Sequence, residues 1–460
     1  NHEYTSYSVQ EDPRLAPKYT GGFLPNMTVE GTKEQLAERG LSWGWVEATL
    51  DAGYRLQAIQ RKLGIESARL DPHNDGYIIW LLTDISPNSQ NGVLNLFYES
   101  KSVPATVCRQ YNGPSVIIAR GLPDAPIYSS GDQFQFEWVL SHFDETPLAN
   151  CRLEWTLVDG GRTLANGQNQ IEHIPAGTFA ELAKVNITVP SIAKPTKARL
   201  AVKIDNTDIS NSYDVWLFPQ RKAFDSKGST LAGICVSSEV YSKLQSRYPE
   251  MVKGTDSAAQ KADVILADRL TESVVDLLNK GKTVITVEPV LGLRWHQPGH
   301  TLGWWVRSTQ SGSAIIRPEA FGQFPHSGIL DQLMYDVSAN ALMWQDKLRD
   351  VEPLMVGSGG SNTTYEDPAR VPNYFMYGFQ ARVGSGKLLL SGFDFMADRP
   401  ESICLLDEFI RYASSDSFQP KGTFDPSGVA LKLEISGWSK TTESPGNANY
   451  YSFMGPLSMD

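Results

Sequence analysis

The spacing of apolar residues changes character along the chain, and each change marks a different kind of unit. Residues 32–39 and 43–63 carry helical spacing, and in the second stretch Val46, Leu50, Tyr54, Ala58 and Leu63 recur every four or five positions. The run Gly76-Tyr77-Ile78-Ile79-Trp80-Leu81-Leu82 then follows, apolar throughout and bounded by Asp75 and Asp84. Such a run predicts a parallel strand buried on both faces. A helix feeding such a strand is the closing unit of a βα barrel.

Beyond residue 102 the period shortens to two, most plainly in Phe134-Gln135-Phe136-Glu137-Trp138. Strand-like segments recur at 134–140, 152–158, 184–189, 198–204 and 213–218, with turns expected at Asp159-Gly160-Gly161 and Ala165-Asn166-Gly167. Short strands at this spacing predict an immunoglobulin-like β-sandwich. From residue 225 buried strands (231–236, 262–267, 283–287, 388–393) alternate with helices (238–247, 271–279, 328–342, 402–413). That alternation predicts an open, flavodoxin-like α/β sheet. The remainder is rich in Gly, Pro and Ser, with one strand-like piece at 429–435. The expected architecture is therefore multidomain. Residues 1–102 supply C-terminal strands of a (β/α)8 barrel, 103–220 the sandwich, and 225–415 the α/β domain. Residues 416–460 form an extension or the start of a further β module.

The chain's 460 residues exceed what one core organises, which agrees with several units. A net charge of −11 argues against nucleic acid or an anionic membrane as the main partner. No run of 18 apolar residues is present, so no membrane span is expected. Cys108, Cys151, Cys235 and Cys404 form no CxxC pair, so free thiols are expected rather than a zinc site or a disulfide framework. With 11 Trp and 18 Tyr the composition permits carbohydrate binding, since aromatic faces stack on sugar rings.

A glycosidic bond is usually cleaved by two carboxyl groups. Glu3, in Asn1-His2-Glu3-Tyr4, is one candidate, although a lone His-Glu pair equally describes an exposed terminus. The strand at Gly76–Asp84 changes its meaning. It runs on to Gln90-Asn91-Gly92-Val93-Leu94-Asn95 and Lys101, and Lys18-Tyr19-Thr20-Gly21 follows the Glu3 motif. Together these segments resemble the last two barrel strands of glycoside hydrolase family 2, in β-galactosidase-like members. That family also places an immunoglobulin-like sandwich next. The resemblance spans residues 1–220, about half the chain.

What the resemblance implies is a retaining exo-β-glycosidase acting on an oligo- or polysaccharide, with no metal or cofactor. Glu3 matches the nucleophile. Trp80 matches the tryptophan at the floor of the sugar site, and His2, Tyr4 and Asp84 match neighbouring substrate-binding positions. Trp80 alone would equally suit a barrel core, and Asp84 a loop cap. The acid/base Glu of the family sits on an earlier strand. A longer polypeptide, a cleavage product or a partner chain is therefore expected to supply it, in a periplasmic or extracellular setting and with homo-oligomers possible.

The α/β region resembles the class I glutamine amidotransferase-like fold, which also occurs as the non-catalytic β-galactosidase trimerisation domain. The amidotransferase reaction needs a Cys on a strand-to-helix turn, typically Gly-x-Cys-x-Gly. Cys235, in Gly233-Ile234-Cys235-Val236-Ser237, lacks the second Gly. The domain is expected to be structural, with Trp295, Trp304 and Trp305 available to line a site edge or an oligomer interface. His296, His300 and His326 have no Cys suitably placed before them. Two alternatives thus stand beside the glycosidase: a non-catalytic carbohydrate-binding or assembly fragment, and an amidotransferase-like hydrolase using Cys235.

Overall fold

The computed structural model describes residues 2–20, 25–85, 90–101, 103–221, 224–225, 228–254, 256–296, 312–359 and 373–429. Trp304, Trp305, His300 and residues 430–435 of the expected late strand lie outside them. The chain is multidomain, mostly β-sheet with some helices, and the described residues form sheets of 3, 5 and 10 strands.

After a 3-10 turn at Pro13–Lys18 come two helices, α1 (Pro25–Arg39) and α2 (Trp43–Leu70), and a short α3 (Ala105–Asn112) precedes the first sheet. Residues 43–63 were expected to be helical, and α2 continues a further two turns to Leu70. The expected strand at 76–82 differs more. It makes a single parallel bridge, Tyr4 to Ile79, and leaves Ile78 63% and Leu82 66% exposed. A strand apolar on both faces needs cover on both, and the described residues place nothing over these two side chains.

The sandwich packs the antiparallel strands Ser115–Arg120, Gln133–His142 and Thr178–Thr188 against a five-stranded sheet. Phe134, Phe136 and Trp138 meet Leu153, Trp155, Leu157, Leu200 and Val202 in its core. Ala165-Asn166-Gly167, expected to turn, instead runs inside the edge strand Arg162–Ile174. An edge strand tolerates polar residues on its solvent side. Gly167 fits there because a Cβ would come 2.6 Å from Trp155 Nε1.

In the α/β unit Val252–Lys253, Leu231–Ile234, Val264–Ala267, Thr283–Thr286 and Gly386–Ser391 lie side by side and all parallel. Numbered along the chain, these strands run 2-1-3-4-5 across the sheet. The sheet then continues antiparallel through Asn373–Val383. The helix expected at 328–342 is replaced by a 3-10 turn, Gln332–Met334, and a strand, Ala341–Met343. Leu330, Leu333, Met334 and Val337 are buried as their spacing suggested. Asp331 caps the turn at Leu333 N, and Asp394 N donates to Val337 O, which holds the chain away from a helix. Residues 416–429 pack on the body, burying Phe418, Phe424 and Val429.

Helix α2 joins the units. Val46, Leu50 and Leu56 enter the α/β core, while Lys62 and Glu66 face the sandwich. Where α2 crosses the strand Gly312–Ile315, a Cβ on Gly312 would come 2.1 Å from Thr49 O and 2.3 Å from Gly53 N. The Gly312 φ of 151° is also one that side chains rarely adopt. Gly312→Ala should therefore cost about 3 kcal/mol, read as a lower urea midpoint. An unchanged midpoint would show that the helix and strand can part freely.

Candidate active site

Three short segments build the site. Residues 2–8 are irregular and meet residues 78–80 at one bridge, Tyr4 to Ile79. Tyr4 N donates to Ile78 O at 2.9 Å, and Trp80 N reaches Tyr4 O at 3.5 Å. The two segments are parallel, so Glu3 and Trp80 flank the same one-residue bridge, Tyr4 to Ile79. Tyr4 is anchored below by its hydroxyl, which donates to Gly64 O on α2 at 3.0 Å. Burial raises its phenol pKa.

Glu3 adopts a left-handed backbone, φ 53°, as does Thr5 at 55°. Ser6 Oγ donates to the Glu3 carbonyl at 2.6 Å and closes this turn. The Glu3 side chain is 29% exposed, and His2 Nδ1 lies 3.9 Å from its carboxylate. Trp80 is half-buried, and the Trp80–Leu81 peptide is cis. Glu3 and Trp80 thus each adjoin a bridging residue, while the Tyr4 hydroxyl is bonded to α2.

Asp84 is placed differently. It is buried, and its Oδ1 accepts from Gly92 N at 2.8 Å and from Lys101 Nζ at 2.7 Å. Lys101 also donates to Gln90 O at 2.9 Å and Gly92 O at 3.1 Å. Burial raises the Asp84 pKa and brings the Lys101 ammonium down to about 8. This pair clamps the loop after the Trp80 segment onto α2, where Lys101 lies over the Tyr54 ring. Lys101→Met would strand a buried carboxylate that keeps only one backbone donor. A loss of about 3 kcal/mol is expected, largely restored in the Lys101→Met/Asp84→Leu double variant. Strict additivity of the two losses in a denaturation cycle would refute the coupling.

Lys101, Tyr54, Asp12 and Arg14 were not singled out from the sequence as a group. Tyr54 OH donates to Asp12 Oδ2 at 3.0 Å, and Arg14 pairs with Asp12 at 2.8 Å. Only the helical position of Tyr54 signalled an inward side chain. Nothing in the spacing of residues 12, 84 and 101 marks them as neighbours.

At the end of the first α/β strand the Cys235 thiol is pushed up to about 12 by burial. The amides of Val236 and Ser237 donate to the two carboxylate oxygens of Asp268 at 2.9 and 2.8 Å. All four cysteines are free. Among the described residues no cluster of His, Cys, Asp and Glu could hold a metal, and no helix is long and apolar enough to cross a membrane.

Two family models match parts of the chain, each described as a domain of unknown function: DUF8488 over residues 132–219 and DUF8487 over 265–432. No curated protein matches. Among solved structures, the exo-chitosanase CsxA of Amycolatopsis orientalis overlays 38% of this chain at 16% identity and a TM-score of 0.26. The β-glucuronidase of Parabacteroides merdae overlays 38% at 12% identity and a TM-score of 0.17. The alkylpurine DNA glycosylase AlkC of Pseudomonas fluorescens overlays 20% at 11% identity and a TM-score of 0.16. The matched stretch spans only 20% of the chitosanase chain and 23% of the glucuronidase chain. Several neighbours are glycoside hydrolases, at an extent of overlay that assigns no activity to this chain.

Proposed function

We propose that this chain is the C-terminal portion of a retaining exo-β-glycosidase, β-galactosidase-like, that removes terminal non-reducing sugars by double displacement. One observation carries the reading. The Glu3 and Gly76–Asp84 segments, expected to be neighbouring barrel strands, meet in one parallel bridge between Tyr4 and Ile79, 75 residues apart, with Glu3 and Trp80 each next to a bridging residue. Left-handed backbone at Glu3 and Thr5 agrees with this, because strained non-glycine residues collect at functional sites.

In this scheme the Glu3 carboxylate attacks the anomeric carbon. The bond to the leaving oxygen breaks as that oxygen takes a proton from a second carboxylic acid. The glycosyl ester on Glu3 is then hydrolysed by a water that the same group, now a carboxylate, deprotonates. The second carboxyl comes from the rest of the barrel, on a preceding segment or a partner chain, because two strands cannot close a barrel. Trp80 forms the floor of the sugar site and His2 and Tyr4 its wall. Asp84, held by Lys101, acts as the clamp that sets the Trp80 segment rather than as a sugar contact. The sandwich is read as immunoglobulin-like, and the 2-1-3-4-5 strand order supports a flavodoxin-like α/β domain. That domain is structural: a thiol with a pKa of about 12 is not a nucleophile near neutrality, and Asp268 already occupies the neighbouring amides. A periplasmic or extracellular setting and a homo-oligomeric assembly belong to the same proposal.

A panel of aryl β-glycosides offered to the enzyme with its barrel complete tests this. Hydrolysis of at least one, with retention of anomeric configuration, is expected; inertness toward all would remove the glycosidase reading. The exposed Ile78 and Leu82 favour a second reading, a non-catalytic assembly fragment that docks through this edge. That reading predicts complex formation without turnover.

A further inference from the structure

Gln57, on α2, is 1% exposed. Its Nε2 lies 2.6 Å from Tyr7 O and 3.0 Å from Gln90 O. Both neighbours are carbonyl oxygens, which only accept, so the NH2 end of the amide faces them and gives one hydrogen to each. Tyr7 stands four residues after Glu3. Gln90 O also accepts from Lys101 Nζ at 2.9 Å, and Lys101 bonds Asp84, four residues after Trp80, at 2.7 Å. An unbroken chain of hydrogen bonds therefore runs from Asp84 through Lys101, Gln90 and Gln57 to Tyr7. Gln57 is where it crosses from the Trp80 side to the Glu3 side.

The two sides are unequally held without it. The loop beyond Trp80 keeps the Asp84–Lys101 pair, and Arg61, four residues along α2 from Gln57, donates to Asn91 O at 2.7 Å. Among the described residues the Glu3 side touches the Trp80 segment through one bridge, Tyr4 to Ile79, where one of the two hydrogen bonds is 3.5 Å long. Val9 sits in the core and fixes the chain beyond Tyr7. Between these points the arc from Glu3 to Tyr7 lies close against α2, where a Cβ on Gly64 would come 2.8 Å from Thr5 Cγ2. Loss of the Gln57 amide thus releases this arc more than it releases the Trp80 segment.

We propose that Gln57 is a positioning residue, which sets Glu3 against the sugar floor at Trp80 by tying Tyr7 O to Gln90 O. This role rests on the glycosidase reading. A nucleophile 1 Å out of place can lose about 10²-fold in rate. The floor itself stays clamped, so the loss falls on kcat rather than on KM.

In the enzyme with its barrel complete, Gln57→Met removes both donors at nearly the same side-chain length. On aryl β-glycosides its kcat per folded molecule should fall about 10–100-fold, with KM within about threefold of the parent. Should Gln57→Met fail to fold, Gln57→Asn carries the comparison, because its shorter amide reaches one carbonyl at most and should lower kcat in the same way. Glu3→Gln is measured beside them. A Gln57 variant that is less stable but keeps the parental kcat per folded molecule, or one that changes KM at parental kcat, would overturn the positioning role, and an inactive Glu3→Gln enzyme in the same series would leave the glycosidase reading standing. A parent inert toward every aryl β-glycoside, or a fully active Glu3→Gln enzyme, would overturn both.

Discussion

Glu3→Gln should lower the turnover of aryl β-glycosides by on the order of 10³–10⁶-fold in the enzyme with its barrel complete. The amide keeps the shape of the side chain and removes the negative charge that attacks the anomeric carbon. No glycosyl ester can then form, so any burst of released aglycone should disappear along with steady-state turnover. Stability should barely move. Glu3 is partly exposed, and among the described residues its carboxylate enters no ion pair beyond the approach of His2 Nδ1 at 3.9 Å. Ser6 bonds to its backbone carbonyl, which the substitution leaves in place. A large loss of activity at an unchanged unfolding midpoint thus separates a chemical role from a structural one. Near-normal activity would remove Glu3 from the mechanism.

The largest loss of stability is expected from Glu66→Leu, at about 5 kcal/mol. Glu66 is 5% exposed and joins α2 to the sandwich. It pairs with Lys62 one helical turn earlier, accepts from Asn211 Nδ2 at 2.7 Å, and accepts from Tyr213 OH at 3.1 Å. Burial lowers the Lys62 pKa, and the ammonium's other contacts are Asn211 Oδ1 at 2.7 Å and the Tyr213 ring 4.1 Å from its Nζ. Leucine would thus leave a buried ammonium without its counter-charge and a buried phenol without its acceptor. Lys62→Met combined with Glu66→Leu should recover most of the loss, because a matched apolar pair removes both charges together. Calorimetry on the single and double variants reads this directly. A Glu66→Leu protein as stable as the parent would show that the helix and sandwich are held by apolar contact alone.

Elements whose apolar spacing and caps agree were legible in the sequence. The helix Ser238–Arg247 begins and ends where its pattern does, with Ser237 capping Val240 N. The short parallel strands of the α/β sheet showed as unbroken apolar runs because helices and further strands cover both faces. Arg162–Ile174 was hidden because its exposed edge carries Asn, Gln and Gly that read as turn residues. The 328–342 segment misled because buried side chains at helical spacing also suit a compact irregular turn. Around the site, the two motifs and their order made neighbouring barrel strands of the Glu3 and Trp80 segments, whereas the structure joins them by one bridge, Tyr4 to Ile79, and leaves Ile78 and Leu82 exposed. The partners of Asp84, Arg61 and Glu66 were not legible. Asn211 lies 145 residues from Glu66, and Lys101 lies 17 residues beyond Asp84 across a loop. Contacts of this kind follow from how α2 is seated, which no local pattern encodes.

The most direct test is covalent trapping of the nucleophile. The enzyme with its barrel complete is incubated with 2-deoxy-2-fluoro glycosides carrying a good leaving group, then digested and read by peptide mass spectrometry. The 2-fluoro group slows breakdown of the glycosyl ester, so a retaining enzyme accumulates it. The expected result is time-dependent inactivation with one fluoroglycosyl group on the peptide containing Glu3, absent in Glu3→Gln. Inactivation with the label on any other carboxylate, or turnover of β-glycosides with inversion and no label, would contradict the assignment.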